Sequence, residues 1–275
     1  MVGFQEVEIY KNYIRLKISL EVFRRFWKNQ YSQNFVNTYN GTMSFTDLLF
    51  PKHCLGCGYF GAYICLKCQR LLRYLERSNC FYCKKASLYD LTHPSCLKKF
   101  NISGVTAIFY YNPTLKKILK NIKYRLVTEA WKDLTKVIDP TAIAKISFYK
   151  RIKRDFFLQP IPLSANKTRE RGFNQALLIT KFFQRFLDFP ISDFLVRVKE
   201  TVPQAELKTK KERYNNLRGA FKINTSALSH PELVSGSQII LVDDVVTTGS
   251  TVREAAKTLI KGGASKVYVL ALAKG

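Results

Sequence analysis

The run Ile239-Ile-Leu-Val-Asp-Asp-Val-Val-Thr-Thr-Gly-Ser-Thr251 limits the fold of this chain more than any other stretch of it. The apolar residues Ile239 to Val242 stop at two adjacent carboxylates, Asp243 and Asp244. A loop of hydroxyls and small residues follows, with Gly249 inside it. An amphipathic helix is then expected, opened by a capping box of Thr251 and Glu254, with Val252, Ala255, Ala256, Leu259 and Ile260 on one face. Gly262 and Gly263 end that helix, and Lys266–Leu272 returns as a second apolar strand. The unit reads β-loop-α-β, which puts the acids and the hydroxyl loop at the carboxyl end of a strand, the edge where open α/β sheets bind ligands.

The loop has a definite chemistry. Amides of Thr247 to Thr251 lead into a helix N-terminus, where partial positive charge favours phosphate. The hydroxyls of Thr247, Thr248, Ser250 and Thr251 add donors, and Gly249 admits close approach of the backbone. Two acids would repel a bare phosphate, but carboxylates accept hydrogen bonds from vicinal ribose hydroxyls, so the pattern reads as a site for a phosphorylated ribose. An ordinary buried strand with an Asp-rich turn is the bland alternative. The Mg-binding strand of a P-loop NTPase has a similar look, but the G-x-x-x-x-G-K-[ST] loop it requires is absent from this sequence. A receiver-type aspartate cluster leaves Thr-Thr-Gly-Ser-Thr unexplained. The residues resemble the PRPP-binding motif of type I phosphoribosyltransferases: an apolar strand, two acids, and a T-x-G-x-T-like loop.

All seven cysteines fall within residues 54–96, as Cys54-x-x-Cys57, Cys65-x-x-Cys68, Cys80-x-x-Cys83 and the lone Cys96 of His93-x-x-Cys96. Eight soft ligands are what two tetrahedral zinc sites require. Disulfides would leave one cysteine over. A segment this short gains its folding energy from metal. Sequential pairing puts Cys54, Cys57, Cys65 and Cys68 on one zinc and Cys80, Cys83, His93 and Cys96 on the other; a cross-braced arrangement would exchange the second and third pairs. His53 and His230 have no partner spacing and read as surface or loop residues.

The formal charge of +25 is uneven, with 14 Lys or Arg against three acids (Glu129, Asp133, Asp139) over residues 98–154. Such a stripe suits nucleic acid, single-stranded DNA included, and is equally compatible with a lysine-rich solvated surface. A hydrophobic fraction of 47% belongs to a folded chain. Apolar runs fall short of the ~20 residues that span a bilayer, and charges break up the N-terminal apolar stretches, so a cytoplasmic protein with no membrane span is expected.

Three segments are expected. Residues 1–42 read as an N-terminal extension, with Met43 as the start of the protein proper; the alternative is a real helix around Ile14–Trp27. Residues 43–100 form the zinc module. Residues 101–275 form an α/β domain with a mainly parallel sheet, since strands at Val105–Tyr111, Phe156–Ile161 and Phe194–Val198 alternate with helical stripes at Leu115–Ile122 and Ala176–Leu187. Residues 224–237 read as a surface insertion.

Further stretches join the opening motif: Pro160-Ile-Pro-Leu-Ser-Ala-Asn, Arg169-Glu-Arg-Gly-Phe-Asn-Gln175, Thr201-Val-Pro-Gln204, and Arg213-x-x-Asn216-Leu-Arg-Gly-Ala-Phe221. With the cysteine module they closely resemble the ComF (ComFC-like) family over about residues 45–275, a type I phosphoribosyltransferase fold with a Rossmann-like parallel sheet behind an N-terminal zinc ribbon. The resemblance implies PRPP with Mg²⁺, structural Zn²⁺, and a role in DNA uptake during natural transformation, with a competence helicase as a candidate partner. It implies ribose hydroxyls on Asp243 and Asp244, the 5′-phosphate on Thr247, Thr248, Gly249, Ser250 and Thr251, and pyrophosphate at Leu163 and Ser164. Residues 199–218 take the place of a closing loop, with Thr201, Gln204 and Arg213 sheltering the reaction. Arg213, with Asp243 and Asp244, is the catalytic candidate, and Lys167 is a further cation for the leaving group. Arg169, Arg171, Asn174 and Gln175 are either ligands or helix-end residues. His93 stands where the family usually has cysteine. The acceptor is not legible. The rival to an enzyme is a non-catalytic adaptor that senses PRPP and holds single-stranded DNA and protein partners through the zinc module and the basic surface.

Overall fold

A computed structural model of the chain describes residues 51–125, 128–152, 156–201, 209–225 and 235–275. The proposed extension at 1–42 with its alternative helix, the start at Met43, Gln204 and His230 lie outside the described residues.

In chain order the elements are α1 (Leu66–Arg70), β1 (Gly104–Tyr110), α2 (Pro113–Arg125), α3 (Thr128–Lys136), α4 (Pro140–Ile146) and α5 (Phe148–Arg151). There follow β2 (Phe156–Pro160), α6 (Ala165–Arg171), α7 (Gln175–Leu187), β3 (Leu195–Arg197), α8 (Lys210–Leu217) and β4 (Phe221–Ile223). The chain closes with β5 (Gln238–Val246), α9 (Ser250–Lys261) and β6 (Lys266–Lys274). Four strands make one parallel sheet in the order β1-β6-β5-β2, while β3 and β4 pair antiparallel beside it. The α/β reading of the sequence therefore holds.

The apolar runs of β5 and β6 follow from burial on both faces, as parallel sheets require. Ile239 and Leu241 face one core with Val252, Ala255, Ala256 and Leu259 of α9. Ile240 and Val242 face the other, with Leu115, Ile118 and Ile122 of α2 and Ile179 and Phe183 of α7. Each such large side chain, once buried, stabilises the fold by roughly 1.5–3 kcal/mol.

The cysteine module is built onto this sheet. Leu75 N–H bonds Ile108 O and Tyr110 N–H bonds Arg73 O, both at 2.8 Å, so residues 73–75 cover the open edge of β1. Leu55, Ile64 and Leu72 of the module share a core with α2. Asp90, 2% exposed, accepts Asn79 N–H at 3.0 Å and pairs with Lys145 of α4 at 2.7 Å.

The acids lie at the carboxyl end of a strand, as expected, and β5 runs on through Asp243 and Asp244 to Val246 because β6 pairs with it as far as Lys274. Two local expectations are corrected. The capping box of Thr251 and Glu254 does not form. Gly249 is the N-cap, and buried Glu254 instead accepts Gly219 N–H at 2.8 Å, a tertiary partner taking the carboxylate. The polar segment 199–218 is not loop throughout, since α8 occupies its second half.

Candidate functional site

Parallel strands put all their carboxyl ends at one edge of the sheet, and a cleft of about 490 Å³ opens there. Tyr111 reaches it from the end of β1, Ile161 and Leu163 from the end of β2, and Asp243 to Thr247 from β5. Gly249, Ser250, Thr251 and Val252 close it at the start of α9, while Lys116 and Lys123 of α2, Lys167, Arg171, Asn174, Gln175 and Arg197 line the rest.

The acids sit in the middle of that wall. Asp243 accepts the Asp244 N–H at 2.8 Å and Asp244 accepts the Val245 N–H at 2.9 Å, which fixes both carboxyls. The other oxygen of Asp244 is ion-paired with Lys123. Burial and the adjacent Asp244 charge push Asp243 well above the ordinary carboxylate range. Burial acts on Asp244 in the same sense, but the charge and hydrogen bond of Lys123 outweigh it and hold Asp244 below its ordinary value. The two neighbouring acids are thus shifted in opposite directions, Asp243 toward its protonated form and Asp244 toward its charged one.

At the loop, Gly249 adopts φ +74°, a left-handed conformation that suits glycine. The first bond of the helical ladder is Arg253 N–H to Gly249 O at 2.9 Å, so the amides ahead of it lie outside that ladder. The hydroxyls of Thr248 and Ser250 lie 2.9 Å apart. Arg171, Gln175 and Arg197, which line the same cleft, each hold a side-chain donor (Nε, Nε2 and Nε) that is buried with no partner among the described residues. Burial lowers the pKa of Lys167, as do the neighbouring charges of Arg197 and Arg171, which marks a local excess of positive charge. A wall with unpaired donors and crowded cations suits a polyanion.

A phosphoribosyl transferase domain profile matches residues 187–275, which include the two acids and the loop. Competence protein F of Haemophilus influenzae is 30% identical over 215 residues, 77% of this chain and 90% of that protein. The chain belongs to the ComF family. The DNA utilization protein YhgH of Escherichia coli K12 is 27% identical over 80% of this ComF-family chain and 93% of its own length. Competence protein ComFC of Bacillus subtilis is 32% identical over 57% and 58% of the two chains.

The cysteines of this ComF-family chain gather as two four-ligand groups. Cys54, Cys57, Cys65 and Cys68 form one and Cys80, Cys83, His93 and Cys96 the other, the ligand atoms of each lying within 4.8 Å of one another. This is the sequential grouping, not the cross-braced one. A tetrahedral zinc with Zn–S bonds of about 2.3 Å holds its sulfurs a little under 4 Å apart, and the Cys57 and Cys65 sulfurs are 3.5 Å apart. His93 Nδ1 lies 3.2 Å from Cys83 Sγ while its Nε2 lies 3.0 Å from Ala86 O. A ring whose far nitrogen donates to a carbonyl presents the near one as a ligand, the arrangement usual for metal-bound histidine. Both groups therefore fit zinc, His93 included. Each also holds one thiol prepared to ionise. Burial raises Cys54, but N–H groups of Cys65, Cys57 and Gly56 bring it down to about 6. Burial likewise raises Cys80, and N–H groups of Cys83, His93 and Tyr82 bring it to about 6.

Not every candidate from the sequence lines the cleft. Leu163 does, whereas Ser164 is buried at the N-cap of α6. Arg171 and Lys167 line it, while Arg169 turns to Asn166 Oδ1 at 2.6 Å. Asn174 both lines it and caps α7 through the Ala176 N–H at 3.0 Å. Thr201 is bonded to Arg197. Arg213 belongs to α8, and its side chain lies outside what is described.

Lys123, Arg197 and Tyr111 were not singled out in the sequence. Lys123 follows Leu119 by four residues, at the edge of the apolar stripe of α2, and Arg197 follows buried Leu195 by two on a strand. A cation sharing a buried face is the signal that both carried.

Proposed function

We propose that this ComF-family protein binds PRPP with Mg²⁺ and acts as a phosphoribosyltransferase in the handling of incoming DNA. The observation that carries the reading is the adjacency, in one cleft, of a fixed acid pair, a glycine-opened helix N-terminus and cationic and amide side chains with unpaired donors. Asp243 and Asp244 would take the ribose hydroxyls, with the diol replacing Lys123 as partner of Asp244. Thr247, Thr248, Gly249, Ser250 and Thr251 would hold the 5′-phosphate. Leu163, Ser164, Lys167, Arg171 and Arg197 would face the pyrophosphate, and preorganised cations there stabilise the charge of the departing group. Mg²⁺, taken up with the pyrophosphate at the turn of Leu163 and Ser164, would supply further positive charge to stabilise the departing group. Arg213 remains the candidate for closing the site.

The role in DNA uptake draws on the names of its relatives, competence protein F and DNA utilization protein, and on a net charge of +25. Single-stranded DNA and a competence helicase are the partners proposed on that basis, with the cytoplasm as the setting; among the described residues, no helix is long and apolar enough to cross a membrane.

Calorimetric titration with PRPP and Mg²⁺ tests the reading: saturable binding is expected, lost in Asp244→Ala. Pyrophosphate release across a panel of acceptors then separates a transferase from an adaptor that only senses PRPP. An absence of PRPP binding overturns both.

A further inference from the structure

Phe81 lies between two ligands of the second cysteine group, Cys80 and Cys83, on a short knuckle with little core of its own. It is nonetheless only 2% exposed. What covers it is the phosphate loop. A Cβ placed on Gly249 would overlap Phe81 Cζ and lie 3.1 Å from Cε1 and 3.3 Å from Cε2. The ring packs in the same core as Val246 and Val252, the residues flanking that loop. Arg253 of α9 closes over it, its guanidinium 4.9 Å from the ring centres of both Phe81 and Tyr82. Tyr82 is anchored in turn, its hydroxyl accepting the Ile102 N–H at 2.9 Å. The glycine of the loop thus answers two demands, a positive φ and an aromatic ring against its Cα.

We propose that the second metal group is the seat of the phosphate loop. With metal on Cys80, Cys83, His93 and Cys96, Phe81 is held against Gly249, and Thr247–Thr251 is set in place for a phosphate ester before the ligand arrives. Phe81 is then a positioning residue, acting through Gly249. The inference rests on the reading of this loop as the 5′-phosphate site. Without the metal the knuckle has little to hold it, the ring loses its fixed place, and the ligand must order the loop at its own entropic cost. Coupling of this kind is reciprocal, so a bound phosphate ester raises the metal affinity of the second group by the factor by which metal raises ester affinity.

The test uses the full chain, metal-loaded, with ribose 5-phosphate as the probe. Phe81→Ala is expected to weaken ribose 5-phosphate binding about tenfold and to speed hydrogen exchange of the 247–251 amides. Phe81→Leu should restore most of both. Tyr59→Ala, an exposed aromatic beside the first group, should change neither. Metal titration in a competing chelator should show the second group tightened by ribose 5-phosphate and the first unchanged. If Phe81→Ala does not fold, Phe81→Leu and Phe81→Val carry the comparison, exchange quickening as the side chain shrinks. Wild-type affinity together with unchanged exchange in these variants overturns the inference while leaving the phosphoribosyl reading standing. A wild-type protein that takes up no ribose 5-phosphate overturns that reading instead, and exchange at 247–251 still judges Phe81.

Discussion

The two metal groups have nearly the same ligands and quite different surroundings. Cys54, Cys65 and Cys68 of the first belong to the main core, and Asn121 of α2 donates to Leu55 O at 2.7 Å beside them. The second is held by polar ties, the Asp90–Lys145 pair among them, and its Phe81 packs against Gly249. A nearly identical ligand set therefore sits in the main core in one place and against the Gly249 loop in the other. The neighbours decide which.

The largest effect should separate the groups outright. A structural zinc contributes on the order of 10 kcal/mol of folding free energy, and Cys68 is 2% exposed in the main core, so Cys68→Ser should lose one metal and most of the melting transition. Cys83→Ser, at an exposed ligand, should also lose one metal but keep the main transition while binding ribose 5-phosphate poorly. Metal analysis with calorimetry checks both, and equal melting losses would erase the distinction. Next, Asp90→Ala strands Lys145 and should cost about 3 kcal/mol in urea unfolding, a measure of how far polar anchoring replaces core packing at the second group.

A smaller effect lies in the cleft, at the acid pair. The raised pKa of Asp243 means that the folded state keeps a proton that the unfolded chain releases above about pH 4, so its contribution is most favourable below that pH and is lost as pH rises through the raised value. Asp244 has the opposite sign: its contribution is present above about pH 4 and lost as pH falls through its lowered value. Asp243→Asn should therefore raise the melting temperature at neutral pH by a few degrees and flatten its fall with rising pH, in a pH series of melts. The smallest effect is expected at Leu88, which is 72% exposed between the halves of the second group; Leu88→Ser should change stability by less than about 0.5 kcal/mol, and a larger loss would place more packing there than the structure does.

Much of this was legible in the chain. The strand-loop-helix around Asp243 and Thr247–Thr251 could be read because backbone period, glycine and hydroxyl chemistry are local properties. The cysteine spacing announced two tetrahedral groups for the same reason. The ends of β5 and the partner of Glu254 could not be read, since one depends on how far β6 extends and the other on a turn 35 residues away in sequence. Lys123 and Arg197 were hidden among many other cations, and only their place on buried faces distinguishes them.

By itself, then, the sequence determined an α/β chain with an acid pair leading into a hydroxyl-rich glycine loop and two four-ligand cysteine groups, all products of short-range pattern. Tertiary structure alone decided that Lys123 neutralises Asp244, that Arg197 faces the same cleft, and that the second knuckle lies under Gly249. Those contacts join residues up to 168 positions apart (Phe81 and Gly249), and no local preference encodes them. They exist because the sheet gathers its carboxyl ends at one edge and the cysteine module covers the strand beside it.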